Sequence, residues 1–199
     1  MGFSVKVFHL SGVLSTIASF LLAASAYGSG TPLLTAIPQE NWRPHVGDTF
    51  FVDTKENLGY LIHSNGEYTS FPVVTGQRRN VYYIGRYYDA TTPTWEWSAA
   101  SRHIKGDRVT FGPTGRFLRL YKNGDERTAY GIHGHRDAEQ MLKEEDRYRS
   151  MGCIIVSEDI LNVIEQTFEM SSGNLSVITQ YGIPDNFALS ILEKEEKTY

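Results

Sequence analysis

Cys153 is the single cysteine of this 199-residue chain, in the run Arg149-Ser150-Met151-Gly152-Cys153-Ile154-Ile155-Val156, downstream of Gly131-Ile132-His133-Gly134. A lone thiol closes no internal disulfide, so in an exported chain it needs another role. A thiol attacks carbonyl carbon as its thiolate, and therefore needs a lowered pKa or a base beside it. Imidazole titrates near neutrality and is the usual base. Gly152 permits the sharp turn whose backbone N–H groups, those of Gly152 and Cys153, can receive the negative oxygen of a tetrahedral intermediate. Cys153 and His133 thus read as nucleophile and base, against the plainer alternative of an inert buried thiol. His133, His135 and Cys153 make a poor zinc set, because structural zinc takes four ligands and commonly several cysteines. No metal or cofactor is expected.

The elements that must hold these groups are mostly strands. Phe50 to Thr54 and Gly59 to His63 alternate as strands do, and Asn65-Gly66 marks a hairpin turn with positive φ expected at both residues. Tyr68 to Gly76 reads as the return strand, with Pro72 near an edge or bulge. Asn123-Gly124 separates the strand Phe117 to Tyr121 from Ala129 to His133, which puts the histidine at a strand end. Asp137 to Tyr148, rich in Glu, Lys, Met and Leu, predicts a short charged helix. Ser157 is the expected N-cap of a second helix, with Glu158 and Asp159 in its first turn and Ile160, Leu161, Ile164 and Phe168 as its apolar stripe. Gly173 ends it, and Leu175 to Thr179 reads as the last strand. The fold class read from these elements is mainly β (α+β), with one or two short helices; the sandwich of mixed sheets is what the family resemblance described below implies.

The chain opens on Lys6, an apolar stretch from Val13 to Ala24, and the small-residue pattern Ala24-Ser25-Ala26, which together read as a signal peptide over 1–26. The apolar stretch is shorter than the ~20 residues of a membrane span, and no cysteine follows it to carry lipid. The expectation is an exported protein of the periplasm or cell wall, without a stable membrane anchor after cleavage. Residues 27–47, with Pro32, Pro38 and Pro44, read as an extended lead-in and 182–199 as a charged tail, and the family resemblance described next makes 48–181 the expected catalytic domain. The formal net charge is −4 and no long basic stripe occurs, which excludes nucleic acid as a partner.

The ordered set of motifs resembles the L,D-transpeptidase (YkuD-type) family. Its signature is a histidine-glycine pair, a spacer, then Ser/Thr-His-Gly-Cys with an apolar residue and usually Arg or Asn after it. Here His133-Gly134 is followed by Ser150-Met151-Gly152-Cys153-Ile154. Phe71-Pro72-Val73-Val74-Thr75-Gly76, Gly112-Pro113-Thr114-Gly115-Arg116-Phe117 and Ser157-Glu158-Asp159-Ile160-Leu161 resemble further family segments. The resemblance implies that Cys153 is acylated, that His133 activates it, that the Gly134 carbonyl orients the imidazole, and that Gly152 and Cys153 supply oxyanion amides. It implies peptidoglycan stem peptides as donor and amine acceptor, release of D-Ala, a 3→3 cross-link, and acylation of Cys153 by carbapenems. Water as acceptor makes the same site an L,D-carboxypeptidase.

Two positions depart from that pattern. Met151 stands where the family has histidine, and Ile155 where it has Arg or Asn. If the missing cation holds substrate, another group must serve, with Arg149, Arg147 and Arg136 nearest in sequence. Ser150, Met151, Arg149 and His135 are the expected substrate contacts. The departures also keep open a non-catalytic wall-binding or scaffold domain. Tyr82, Tyr83, Tyr87, Tyr88, Trp95 and Trp97 are expected mainly to pack on the sheet, with one or two left for substrate. His63 and His103 carry no readable signal.

Overall fold

The computed structural model describes residues 34–83, 85–184 and 187. The leader 1–26 and most of the tail 182–199 lie outside the described residues. The elements in chain order are β1 (Thr35–Ala36), β2 (Thr49–Asp53), β3 (Leu58–Ile62), β4 (Glu67–Pro72), β5 (Thr75–Gly76), β6 (Asn80–Tyr83), β7 (Arg86–Asp89), β8 (Glu96–Ile104), β9 (Arg116–Lys122), β10 (Glu126–His133), α1 (Ala138–Lys143), β11 (Tyr148–Ser150), β12 (Ile154–Ile155), α2 (Glu158–Met170) and β13 (Leu175–Gln180). A single 3₁₀ turn, Gln39–Asn41, interrupts the lead-in.

Nine strands form one mixed sheet in the order β1-β4-β3-β2-β13-β8-β9-β10-β12. Its parallel pairs are β1 with β4, β13 with β2, and β10 with β12. Two backbone hydrogen bonds of 2.9 Å join Val74, just past β4, to Ile155 of β12. Strands near opposite ends of the sheet order are therefore tied together, and the sheet folds over its own apolar face. Small two-stranded sheets, β5 with β11 and β6 with β7, flank it.

The enclosed core is built by alternation. Phe50 and Val52, Leu61, Leu118 and Leu120, Ile132, Ile154, Leu175 and Val177 are all fully buried in one cluster. Helix α2 inserts Ile160, Leu161, Ile164 and Phe168 into it, and the Ser157 side chain caps the helix by accepting from the Ile160 N–H at 3.2 Å. Leu161 has no exposed surface, so Leu161→Ala leaves a cavity and costs about 3 kcal/mol of stability. A denaturant titration checks this; a loss under about 1 kcal/mol contradicts the packing.

Three expectations are corrected. The charged helix ends at Lys143 and does not reach Tyr148, because Glu144 turns extended (ψ 150°) and the Asp146 carboxylate accepts from the Tyr148 N–H at 3.0 Å, a side-chain turn that competes with the helix. Tyr148 begins β11. At Asn65-Gly66 only Gly66 takes positive φ (+87°), whereas Asn123 and Gly124 both do. The first hairpin closes through Gly66 N–H to His63 O, a tight turn that needs one left-handed residue. The long return strand breaks after Pro72, whose partner Leu58 is the first residue of β3, and resumes as β5.

Candidate active site

The pairing of β9 with β10 places Phe117 opposite His133 and Arg119 opposite Gly131. Directly opposed residues share a sheet face. With Leu118, Leu120 and Ile132 committed to the core, Phe117, Arg119 and His133 project to the other side. Strand β12 pairs with the end of β10 through Ile132–Ile154 and His133–Ile155. Cys153, immediately before β12, thus arrives beside Gly131. A cavity of about 750 Å³ opens on this face, lined by Cys153, His133, Tyr88, Phe117 and Arg119 among others.

The His133 imidazole is buried and packed against the rings of Phe111 and Phe117 at centroid distances of 5.1 and 5.8 Å. Its Nδ1 lies 2.6 Å from the Gly134 carbonyl oxygen. A carbonyl only accepts, so Nδ1 carries the proton and Nε2 has a free lone pair, the tautomer a base requires. Burial pulls the imidazole pKa down to about 4; the Gly134 and Thr110 backbone oppose the shift and His135 reinforces it. Burial likewise pushes the Cys153 thiol up to about 11, against a hydrogen bond from the Gly131 backbone and the positive charges of Arg119 and Lys105. At neutral pH the pair is therefore thiol and neutral imidazole. No hydrogen bond joins the two side chains.

Labelling by a simple alkylating agent reads this out, because only the thiolate reacts. Iodoacetamide modification of Cys153 is expected to rise about tenfold per pH unit from pH 7 towards 10. A rate already at its plateau at pH 6 contradicts the neutral pair and indicates thiolate–imidazolium.

The loop carrying the thiol is clamped. Ser150 Oγ accepts from the Gly152 N–H at 3.0 Å and donates to the Cys153 carbonyl at 2.6 Å. The Gly152 carbonyl accepts from Thr92 Oγ1 at 2.9 Å. Gly152 has φ +105°, and a Cβ there would stand 2.5 Å from the Tyr130 ring, so only glycine fits. Of the two amides expected to face an oxyanion, Gly152 N–H is already spent on Ser150. Cys153 N–H donates to no group among the described residues.

The remaining predicted residues separate clearly. His135 and Met151 line the cavity; His135 Nδ1 accepts from the Asp137 N–H at 3.0 Å, and Gln77 Nε2 donates to Met151 Sδ at 3.6 Å. Arg149 also reaches the cavity but is paired with Glu144. Arg147 is tied to the Glu56 carbonyl at 2.9 Å, and Arg136 to Asp137. Tyr83 and Tyr88 line the cavity, Tyr82 and Tyr87 face solvent, and Trp95 and Trp97 pack around Tyr130. Sequence reasoning missed Lys105, Phe117 and Arg119, although the period-two pattern Phe117-Leu118-Arg119-Leu120 already set two of them against the core. It also missed a cluster elsewhere. The His63 ring lies between Trp42 and His45 at 3.7 and 4.1 Å, with Nδ1 2.6 Å from Asp48 Oδ1. Its ligand atoms lie within 4.8 Å of one another, but stacked imidazoles do not converge in plane on one ion.

The family model of the L,D-transpeptidase catalytic domain (YkuD) matches residues 47–170, well over half of the chain. The chain belongs to this family. No curated protein matches it. Among solved structures, Bd1075 of Bdellovibrio bacteriovorus superposes with a TM-score of 0.51 at 11% identity, covering 84% of this chain and 59% of that one. The L,D-transpeptidase of Xylanimonas cellulosilytica gives 0.47 at 19% identity, covering 70% and 63%. Pgp2 of Campylobacter jejuni, a helical cell shape determining protein, gives 0.45 at 14%, covering 78% and 55%. At such identities the Bd1075 likeness concerns the fold alone. The chain spans about three fifths of the length of these solved proteins. The His133-Gly134 and Ser150-to-Cys153 segments both fall within the matched stretch of this L,D-transpeptidase family member.

Proposed function

We propose that the protein is an exported cysteine acyltransferase acting on peptidoglycan stem peptides. The observation that carries this reading is the convergence of Cys153 and His133 on one cavity, with Nδ1 held by the Gly134 carbonyl. Cys153 Sγ attacks the carbonyl of the stem's third residue while His133 Nε2 takes the thiol proton, and the Cys153 N–H donates to the oxygen that becomes negative. As the C–N bond breaks, that proton passes to the leaving amine and D-Ala departs. The thioester is then opened by a second stem's amine, giving a 3→3 cross-link, or by water, giving L,D-carboxypeptidase activity.

A neutral pair suits this sequence, since proton transfer is concerted with attack and needs no thiolate beforehand. No metal or cofactor takes part. Carbapenems acylate Cys153 by the same addition. The chain works in the periplasm or cell wall: 1–26 is a leader that is removed, 27–47 a lead-in, 48–181 the catalytic domain and 182–199 a charged tail. Among the described residues no helix is long and apolar enough to cross a membrane.

The absence of a Cys153–His133 hydrogen bond, with Met151 and Ile155 at the departing positions, favours a second reading as a wall-binding domain with weakened chemistry. Sedimentation with purified sacculi, beside stem-peptide turnover, separates the two. Turnover that stops in Cys153→Ala supports the enzyme; binding without turnover in the unaltered protein supports the domain.

A further inference from the structure

The cavity beside Cys153 is lined by four cations, Arg86, Lys105, Arg119 and Arg149, and by no carboxylate, in a chain of net charge −4. Arg149 is neutralised by Glu144. Arg119 is the unusual one. Its residue is only 8% exposed, yet no carboxylate lies within 4 Å of it among the described residues. Burying an unpaired guanidinium is costly, and an anion that recovers the cost binds strongly.

The guanidinium is also preorganised. Nη1 donates to the Thr128 carbonyl at 2.6 Å, and the plane is steadied over the Phe117 ring at 5.0 Å. Nε is buried without an acceptor, and Nη2 has none among the described residues. The Nε–Nη2 edge is the side of arginine that takes a carboxylate in two parallel hydrogen bonds. Lys105 Nζ stands 4.9 Å from the centroid of the same Phe117 ring, as a second positive charge.

We infer that Arg119, assisted by Lys105, forms a carboxylate-binding subsite that takes the C-terminal carboxylate of the residue expelled by Cys153. The inference rests on the acyl-transfer reading above. Arg119 stands opposite Gly131, the residue whose backbone meets the sulfur, so the guanidinium and the thiol open on the same cavity. The subsite supplies the positive charge that Ile155 does not, whereas the arginines nearest in sequence, Arg136, Arg147 and Arg149, are tied to Asp137, Glu56 and Glu144. It makes the enzyme select stems ending in a free carboxylate.

The test is calorimetric binding to Cys153→Ala, which separates recognition from chemistry. The probes are a stem tetrapeptide ending in D-Ala and the same peptide as its C-terminal amide. The acid is expected to bind at least tenfold tighter than the amide. In the double variant with Arg119→Met the two are expected to bind alike, while Arg119→Lys keeps part of the preference. A purely structural role for Arg119 weakens both ligands equally and leaves the ratio intact, which overturns the inference, as does equal binding to Cys153→Ala. Equal binding with normal acylation of the unaltered protein leaves the acyl-transfer reading standing. An Arg119-dependent acid preference without any acylation supports the subsite and removes the acyl transfer. Binding of neither peptide removes both.

Discussion

Replacing His133 by Gln is expected to lower the rate of Cys153 acylation by a stem tetrapeptide about 10²- to 10⁴-fold, the range that a positioned base supplies. The effect is large because His133 is the imidazole on β10 beside the thiol, whereas the other histidine of the cavity, His135, has its Nδ1 engaged by the Asp137 N–H. With the thiol held up at about 11, hardly any thiolate exists at neutral pH, so attack depends on Nε2 accepting the proton as the bond forms. The pH profile carries a second signature. Acylation by the unaltered protein should persist well below pH 6 and fall only as the pH approaches about 4, where the imidazole becomes protonated.

Stability follows the same titration. The imidazole is neutral in the fold down to about pH 4 but protonates near 6.5 once unfolded, so the unfolded chain binds more protons between these limits. Stability therefore drops as pH is lowered through that window, and His133→Gln should remove this component of the slope. Stopped-flow acylation and denaturant titrations at pH 4.5 and 7 measure both. An unchanged rate in His133→Gln contradicts the assignment of the base.

Loss of the thiol is expected to be more severe still. Cys153→Ala should fold, since it gives up only the weak contact of the thiol with the Gly131 backbone, while Ser150 and Thr92 clamp the loop on either side. Adduct formation should fall to background, a loss of about 10⁴-fold or more, because the chain holds no second thiol to replace Cys153. Residual adduct on Cys153→Ala contradicts the mechanism.

Much of this candidate site is legible in the sequence. Cys153, His133 and the tight Gly152 turn follow from residue types and spacing, and helix α2 follows from its Ser157 cap and apolar stripe. Other features escaped because sequence patterns report a residue's face and not its partner. Nothing local says that β13 lies between β2 and β8, or that Val74 meets Ile155 across the folded sheet. Composition favours a helix through Tyr148, but the Asp146 turn and the pairing of β11 with β5 override it. Arginines close to Cys153 in sequence drew attention, yet each is tied elsewhere. Arg119 reaches the cavity only through the register of β9 against β10. The Gly152 amide is engaged by Ser150 for a related reason: a hydroxyl two residues back competes for the same donor.

The central claim is tested most directly by intact mass spectrometry of the protein with a disaccharide-tetrapeptide, with and without an amine acceptor, beside Cys153→Ala. The account predicts a thioester on Cys153 with loss of D-Ala, discharged by the acceptor to a cross-linked dimer or by water alone to a tripeptide. No adduct from the tetrapeptide, together with no labelling of Cys153 by a carbapenem, would contradict it and leave a wall-binding domain on an L,D-transpeptidase fold.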